Sequence, residues 1–158
     1  MRYLKTLTLC SVSLWLGVLG FFSFAAAPAI FTTLDRERAG SLVAVVLPRY
    51  YLFGIIMGLL ALVGVLGRAM VKRGRKVEWG ALILTLLMLA LTAYSLLVLL
   101  PQAESARLAM RSVPPSAGMV SETAVAFGRA HRLAVVLNLL TMLAGLTLVF
   151  VEGLRPRR

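Results

Sequence analysis

Histidine and cysteine are nearly absent from this chain, and acidic residues are scarce. A single cysteine, Cys10, excludes an intramolecular disulfide. The single histidine, His131, together with Cys10 falls short of a Cys/His zinc site. Six Asp and Glu stand against 17 Lys and Arg. No acid lies inside an apolar block: Asp35, Glu78 and Glu152 all fall at block edges, whereas a proton-driven transporter ordinarily carries one within its spans. No Walker loop, Rossmann glycine pattern or metalloprotease motif occurs. The acid nearest to His131 in sequence is Glu122, so a nucleophilic triad is poorly supported. These absences argue against an enzyme, and no cofactor is expected.

What is abundant is apolar residues. They make up 60% of the 158 positions, with a mean hydropathy of +0.92, against about 45–50% in ordinary soluble domains. They are gathered into blocks, the pattern of a membrane protein. The cations are confined to the gaps between blocks, so the net charge of +11 points to anionic lipid headgroups as the partner rather than to nucleic acid.

The blocks can be taken in chain order. Residues 6–34 carry no charge over 29 positions. A secretory signal with cleavage after Ala25-Ala26-Ala27 is the rival reading, but the stretch is too long and Pro28 follows directly. It is expected to be a first spanning helix, ended or bent at Pro28. Residues 39–48 are apolar but short, and either lie on the membrane or form the early turns of a second helix kinked at Pro48; the second is favoured. Residues 50–67 complete that span, with Tyr50 and Tyr51 near the headgroups. Residues 68–78 hold five cations and one acid. Trp79 anchors the start of a third block that Pro101 closes. Residues 102–126 are expected to be a polar loop, with a possible short amphipathic helix at 104–111. Ser121 is a plausible N-cap for a fourth helix.

Cation counting sets the orientation. Arg2, Lys5, Arg68, Lys72, Arg73, Arg75, Lys76, Arg155, Arg157 and Arg158 would lie inside, and Arg36, Arg38, Arg49, Arg107, Arg111, Arg129 and Arg132 outside, ten against seven. The expectation is an all-α membrane protein: one four-helix bundle over 1–158, helices near 6–33, 40–69, 79–101 and 121–152. Both termini would be cytoplasmic, in a bacterial inner membrane. Lys72, Arg73, Arg75 and Lys76 would meet anionic headgroups.

Lipid gives no hydrophobic drive between helices, so small and weakly polar residues mark contacts. Gly54 and Gly58 form a GxxxG that Ala61 extends, and Gly17 and Gly20 neighbour one another on the first helix. Thr85, Met88, Thr92, Ser95 and Leu99 form one stripe at helical spacing, expected to face inward. Phe127, His131, Asn138, Thr141 and Gly145 form another. Packing is the plain reading of these stripes; a pocket in the outer leaflet is the functional one.

Candidate site residues gather around 127–138. His131, flanked by Arg129 and Arg132, would tend to stay neutral and able to bind a metal or a partner; an interfacial histidine bonded to Tyr50 or Tyr51 is the simpler alternative. Arg49, Arg129 and Arg132 would suit an anion, or would only snorkel to phosphates. The candidate ligand set is therefore His131, Arg49, Tyr50, Tyr51, Phe127, Arg129 and Asn138, with His131 the one candidate for a metal.

Three segments carry a family likeness: Phe21-Phe22-Ser23-Phe24 with Ala27-Pro28-Ala29-Ile30-Phe31; Leu47-Pro48-Arg49-Tyr50-Tyr51; and Phe127-x-x-x-His131 with Asn138. In order and spacing they resemble the transmembrane protein 205-like family, across roughly residues 10–150. The resemblance implies a four-helix integral membrane protein and no catalytic residues. A looser likeness to small four-helix families that handle copper or haem meets an obstacle in the lone histidine. Met57, Met88 and Met142 are scattered singly, as core fillers usually are. The expected function is to bind or organise a lipid-like ligand, or a partner such as another membrane subunit or a second copy, at the outer leaflet. Handling of a metal or cofactor through His131 is the alternative.

Overall fold

The computed structural model of the chain describes residues 2–71, 79–112 and 119–154, without the side chains at 36, 110–112 and 119–123. All of its regular structure is helical. α1 (Arg2–Phe21) passes through a π-helical turn (Phe22–Ala26) into α2 (Ala27–Thr33). α3 (Arg36–Val71) runs back. α4 (Trp79–Tyr94) passes through a second π-turn (Ser95–Leu99) into α5 (Leu100–Ser112), and α6 (Met119–Leu154) returns. Four of the resulting rods are long and apolar enough to cross a membrane: Arg2–Thr33, Glu37–Val71, Trp79–Ala109 and Ala124–Leu154. The chain is thus an all-helical integral membrane protein. The end holding Arg2, Val71, Trp79 and Leu154 is called the base below, and the opposite end the crown.

Prolines do not break these rods where the sequence suggested. Proline has no N–H to donate, and its ring collides with the carbonyl four residues back. In both broken-looking helices a π-turn ends two residues before the proline, at Ala26 for Pro28 and at Leu99 for Pro101. In those turns the N–H of Ala27 reaches the Phe22 carbonyl, and that of Leu100 reaches the Ser95 carbonyl. The wider turn supplies the local adjustment that lets a membrane helix carry a proline. The third rod therefore continues past Pro101, and the segment read as a loop over 102–126 is helical to Ser112 and again from Met119. α3 also runs unbroken through Pro48, so 39–48 is part of a single helix. Its start is fixed by Asp35, whose Oδ2 accepts from the Arg38 backbone N–H at 3.2 Å, an N-cap.

The rods form a ring. α1 packs on α3, α3 on α4, α4 on α6, and α6 on α1, so α3 and α6 face each other across a diagonal. Tight approach comes from small residues. A Cβ at Gly54 would fall 2.7 Å from Trp15 Nε1, and one at Gly58 would fall 2.5 Å from Leu89 Cδ2 and 2.9 Å from Trp15 Cζ3. The GxxxG is thus the slot for the Trp15 indole. Gly64 leaves room for the Thr8 hydroxyl. Gly17 and Gly20, by contrast, meet nothing and lie away from the packed faces. The α4 stripe faces inward throughout, from Thr85 and Met88 to Thr92, Ser95 and Leu99, all buried. In the base half, Val12, Trp15, Ala61, Val65, Ala81, Met88, Ala144 and Leu148 form one core. Towards the crown, Leu19, Tyr50 and Tyr51 form a second, packed by Phe22, Leu47, Leu96 and Met142.

Candidate functional site

At the crown, open cavities lie beside charged side chains. Below Pro48 and Pro101 the glycines hold α3 against Thr92 and Leu89 of α4. Above them α3 and α5 draw apart, and a groove of about 550 Å³ opens between Ser41, Ala44, Val45 and Pro48 on one side and Leu100, Pro101, Glu104 and Arg107 on the other. The spacings 41, 44, 45, 48 and 100, 101, 104, 107 are each one helix face. The lining is graded. Proline, leucine, valine and alanine form its lower part, and charge closes its upper part.

Arg107 organises that upper part. Its Nη2 and Nε donate to Glu104 Oε1 and Oε2 at 2.6 and 2.9 Å, a two-point grip, and its Nη1 donates to Ser41 Oγ at 3.3 Å. Arg107 thereby ties α5 to α3 over the groove. Ser41 also lines an adjoining cavity of about 630 Å³ with Asp35, Glu37 and Arg38. Arg38 pairs with Asp35 at 3.4 Å, and Glu37 is near enough to Arg107 to act on it electrostatically. Ser41 lines both cavities.

The residues singled out from sequence are divided by the structure. Tyr50 and Tyr51 are buried in the crown core. Tyr50 packs on Phe22 with ring centres 4.9 Å apart, and on Tyr51 at 5.0 Å. The Tyr51 hydroxyl lies near Ser95 and Asn138. Asn138 is therefore near Tyr51. His131 is not: it is exposed, its ring parallel to that of Phe127 at 6.4 Å on the same helix. The alternative, a bond from His131 to Tyr50 or Tyr51, is not formed; within 127–138 it is Asn138, two turns nearer the base, that lies near Tyr51. The reason lies in the neighbours. α2 touches α3 and the first π-turn but not α6, so the crown turns of α6 lack a helix on the α1 side to cover them. Arg129 and Arg132 are exposed with His131. Arg49 is exposed and its Nη1 donates to the Val45 carbonyl, beside the groove. Lys72, Arg73, Arg75 and Lys76 lie outside the described residues. Among the described residues no three of His, Cys, Asp and Glu gather as metal ligands would.

Sequence reasoning missed two features. One is the groove: a short amphipathic helix at 104–111 is allowed within the 102–126 loop, but nothing in the sequence sets it against residues 41–48. The only signal was the i,i+3 spacing of opposite charge at Glu104 and Arg107. The other lies at the base. Glu152, read as an edge residue, is fully buried and held by Arg68 across the bundle diagonal at 2.6 and 3.2 Å.

Comparison with known proteins adds a family and one relative. Residues 10–112 match a family described as a domain of unknown function, DUF4149. An "uncharacterized protein" of Aquifex aeolicus (strain VF5) is 43% identical over 53 residues, which are 34% of this chain and 40% of that relative's length. No solved structure matches. The matched range takes in α1 to α5, with the Phe21–Phe31 and Leu47–Tyr51 segments and both walls of the groove. It leaves out α6 and the Phe127–Asn138 segment. Nothing in these matches bears on the transmembrane protein 205-like likeness.

Proposed function

The chain belongs to the DUF4149 family, and from that premise we propose that it is a non-catalytic membrane protein that holds a lipid-like amphiphile in the α3–α5 groove at its crown. The observation that carries this reading is the graded lining: Pro48, Pro101, Leu100 and Val45 below, Glu104 and Arg107 above.

Depth supports it. A 36-residue helix such as α3 is about 54 Å long at 1.5 Å per residue, while the hydrocarbon core is about 30 Å, or about 20 residues. Counting 20 residues from Arg68 reaches Pro48, and from Trp79 reaches Leu99. The prolines then sit at the boundary between acyl chains and headgroups. Ser41, Glu104 and Arg107 sit among the headgroups, and the groove lies across that boundary. An amphiphile would meet the same gradient inside the groove as in the bilayer, and would exchange with it sideways.

In this reading the crown is the outer face of a bacterial inner membrane, both termini are cytoplasmic, and Lys72, Arg73, Arg75 and Lys76 meet anionic headgroups there. The likeness to the transmembrane protein 205-like family belongs to the same proposal and rests on the Phe21–Phe31, Leu47–Tyr51 and Phe127–Asn138 segments.

The test is native mass spectrometry of the protein released from mild detergent. Wild type is expected to retain one phospholipid-sized adduct, and Val45→Trp, which fills the groove from an exposed position, to lose it. Equal retention by both proteins, or bare wild type, would refute the reading.

A further inference from the structure

The groove is bounded at both ends. At its foot, Gly54 and Gly58 of α3 rest against Thr92 and Leu89 of α4. At its top, Arg107 crosses from α5 to α3. The arginine stem passes over Gly40, where a Cβ would fall 3.5 Å from Arg107 Cδ. The hydrogen bonds of Arg107 divide unequally. The two to Glu104, at 2.6 and 2.9 Å, stay within α5, and the longer one, at 3.3 Å, crosses to Ser41. Ser41 Oγ spends its own proton on the Glu37 carbonyl at 2.9 Å, which leaves its lone pairs to accept from Arg107.

Between foot and top, the rod that carries α5 has a weak point. Ser95–Leu99 is a π-turn, in which the Leu100 N–H reaches back to the Ser95 carbonyl. Pro101, next in the chain, has no N–H to give the carbonyls before it. Prolines and π-turns are where helices bend, and here both sit beside the foot of the groove. Beyond that point α5 packs chiefly on α6 and touches α3 much less. Among the described residues α2 makes no contact with α6, so on that side nothing ties the crown turns of α6 back to the first rod. The α5 side of the groove is therefore hinged below, bonded to α3 above, and carried by a helix with freedom to yield.

We propose that α5 is the gate of the groove: it turns at Ser95–Pro101, and the bond from Arg107 to Ser41 latches it against α3, so that an amphiphile enters and leaves when that bond opens. Glu104 keeps the guanidinium aimed while α5 swings, because their pair lies within one helix. This rests on the reading of the groove as an amphiphile site and adds how that site exchanges its occupant.

Lipid exchange tests it. Wild-type protein in mild detergent is loaded with phosphatidylethanolamine carrying deuterated acyl chains and mixed with an excess of the unlabelled lipid, and native mass spectrometry follows loss of the heavy adduct. Loading is timed on delipidated protein. A gate sets the rate in both directions, whereas a contact with the lipid sets release alone. Ser41→Ala, which removes the acceptor of the latch, is expected to speed loading and release alike by about fivefold, the worth of one hydrogen bond. In a Cys10→Ala background, Ser41→Cys with Arg107→Cys, joined by a short bis-thiosulfonate linker, is expected to slow both at least tenfold, and cleavage of the linker by reductant to restore them. Release speeded without loading, rates unchanged in Ser41→Ala, or exchange unslowed by the linker would overturn this inference and leave the groove standing. No heavy adduct on wild type would overturn both.

Discussion

The guanidinium of Arg68 grips the carboxylate of Glu152 across the diagonal of the bundle, Nη1 to Oε2 at 2.6 Å and Nη2 to Oε1 at 3.2 Å. Their helices, α3 and α6, do not approach backbone to backbone. At the crown, Tyr51 of α3 and Asn138 of α6 lie near one another. The diagonal is thus held at the base by a buried ion pair.

Breaking the base pair should be costly, since a lone charge is left where Glu152 is fully buried and Arg68 nearly so. In soluble proteins such a loss costs about 3–5 kcal/mol, while replacing both partners with apolar groups is often neutral. Glu152→Leu and Arg68→Met alone are therefore each expected to lower the thermal midpoint in detergent sharply. The double variant should recover most of the loss. A double variant no better than the worse single one would show that the pair does more than satisfy itself.

The glycines are expected to separate into two classes. A methyl at Gly64 would meet the Thr8 hydroxyl and, at 2.8 Å, the Leu4 carbonyl, a backbone atom that cannot swing aside. Gly64→Ala should destabilise by about 1–3 kcal/mol, as overpacking does. Gly17 has open space, so Gly17→Ala should be neutral or gain about 0.5–1 kcal/mol from helix propensity. Denaturation of both variants in one detergent checks the contrast.

The nearness of Tyr51 to Asn138 should appear as a coupling. Side-chain hydrogen bonds between membrane helices average about 0.6 kcal/mol in double-mutant cycles. A cycle of Tyr51→Phe and Asn138→Leu is expected to return a coupling of that order. His131→Ala should leave stability unchanged, since His131 is exposed.

Orientation is tested by labelling. With Cys10→Ala as background, a Gly74→Cys protein in intact cells should resist a membrane-impermeant thiol reagent, and a Ser105→Cys protein, at an exposed crown position, should react. The reverse pattern would invert the topology.

The inward stripe of α4 and the GxxxG of α3 were legible because both are local: residues three and four apart share a face whatever surrounds them. The limits were equally local. Pro28 and Pro101 look like stops until a π-turn is placed before each, and nothing in the residues themselves announces that turn. Phe127, His131 and Asn138 do share a face, as the count gave it. Whether a face is covered depends on which neighbour stands opposite, and α2 does not reach α6. Glu152 looked like an edge residue because its partner lies 84 positions away. The groove was hidden for the same reason, since its walls come from residues 41–48 and 100–107 and only the packed ring brings them together.

The most direct test of the groove is photo-cross-linking in vesicles with a phospholipid carrying a diazirine high on its acyl chain, followed by peptide mapping. Adducts concentrated on residues 44–48 and 100–104, and lost in Val45→Trp, are the predicted result. Adducts spread evenly over exposed apolar positions such as Leu14, Val63, Ile83 and Phe150, with no excess at the groove, would contradict it.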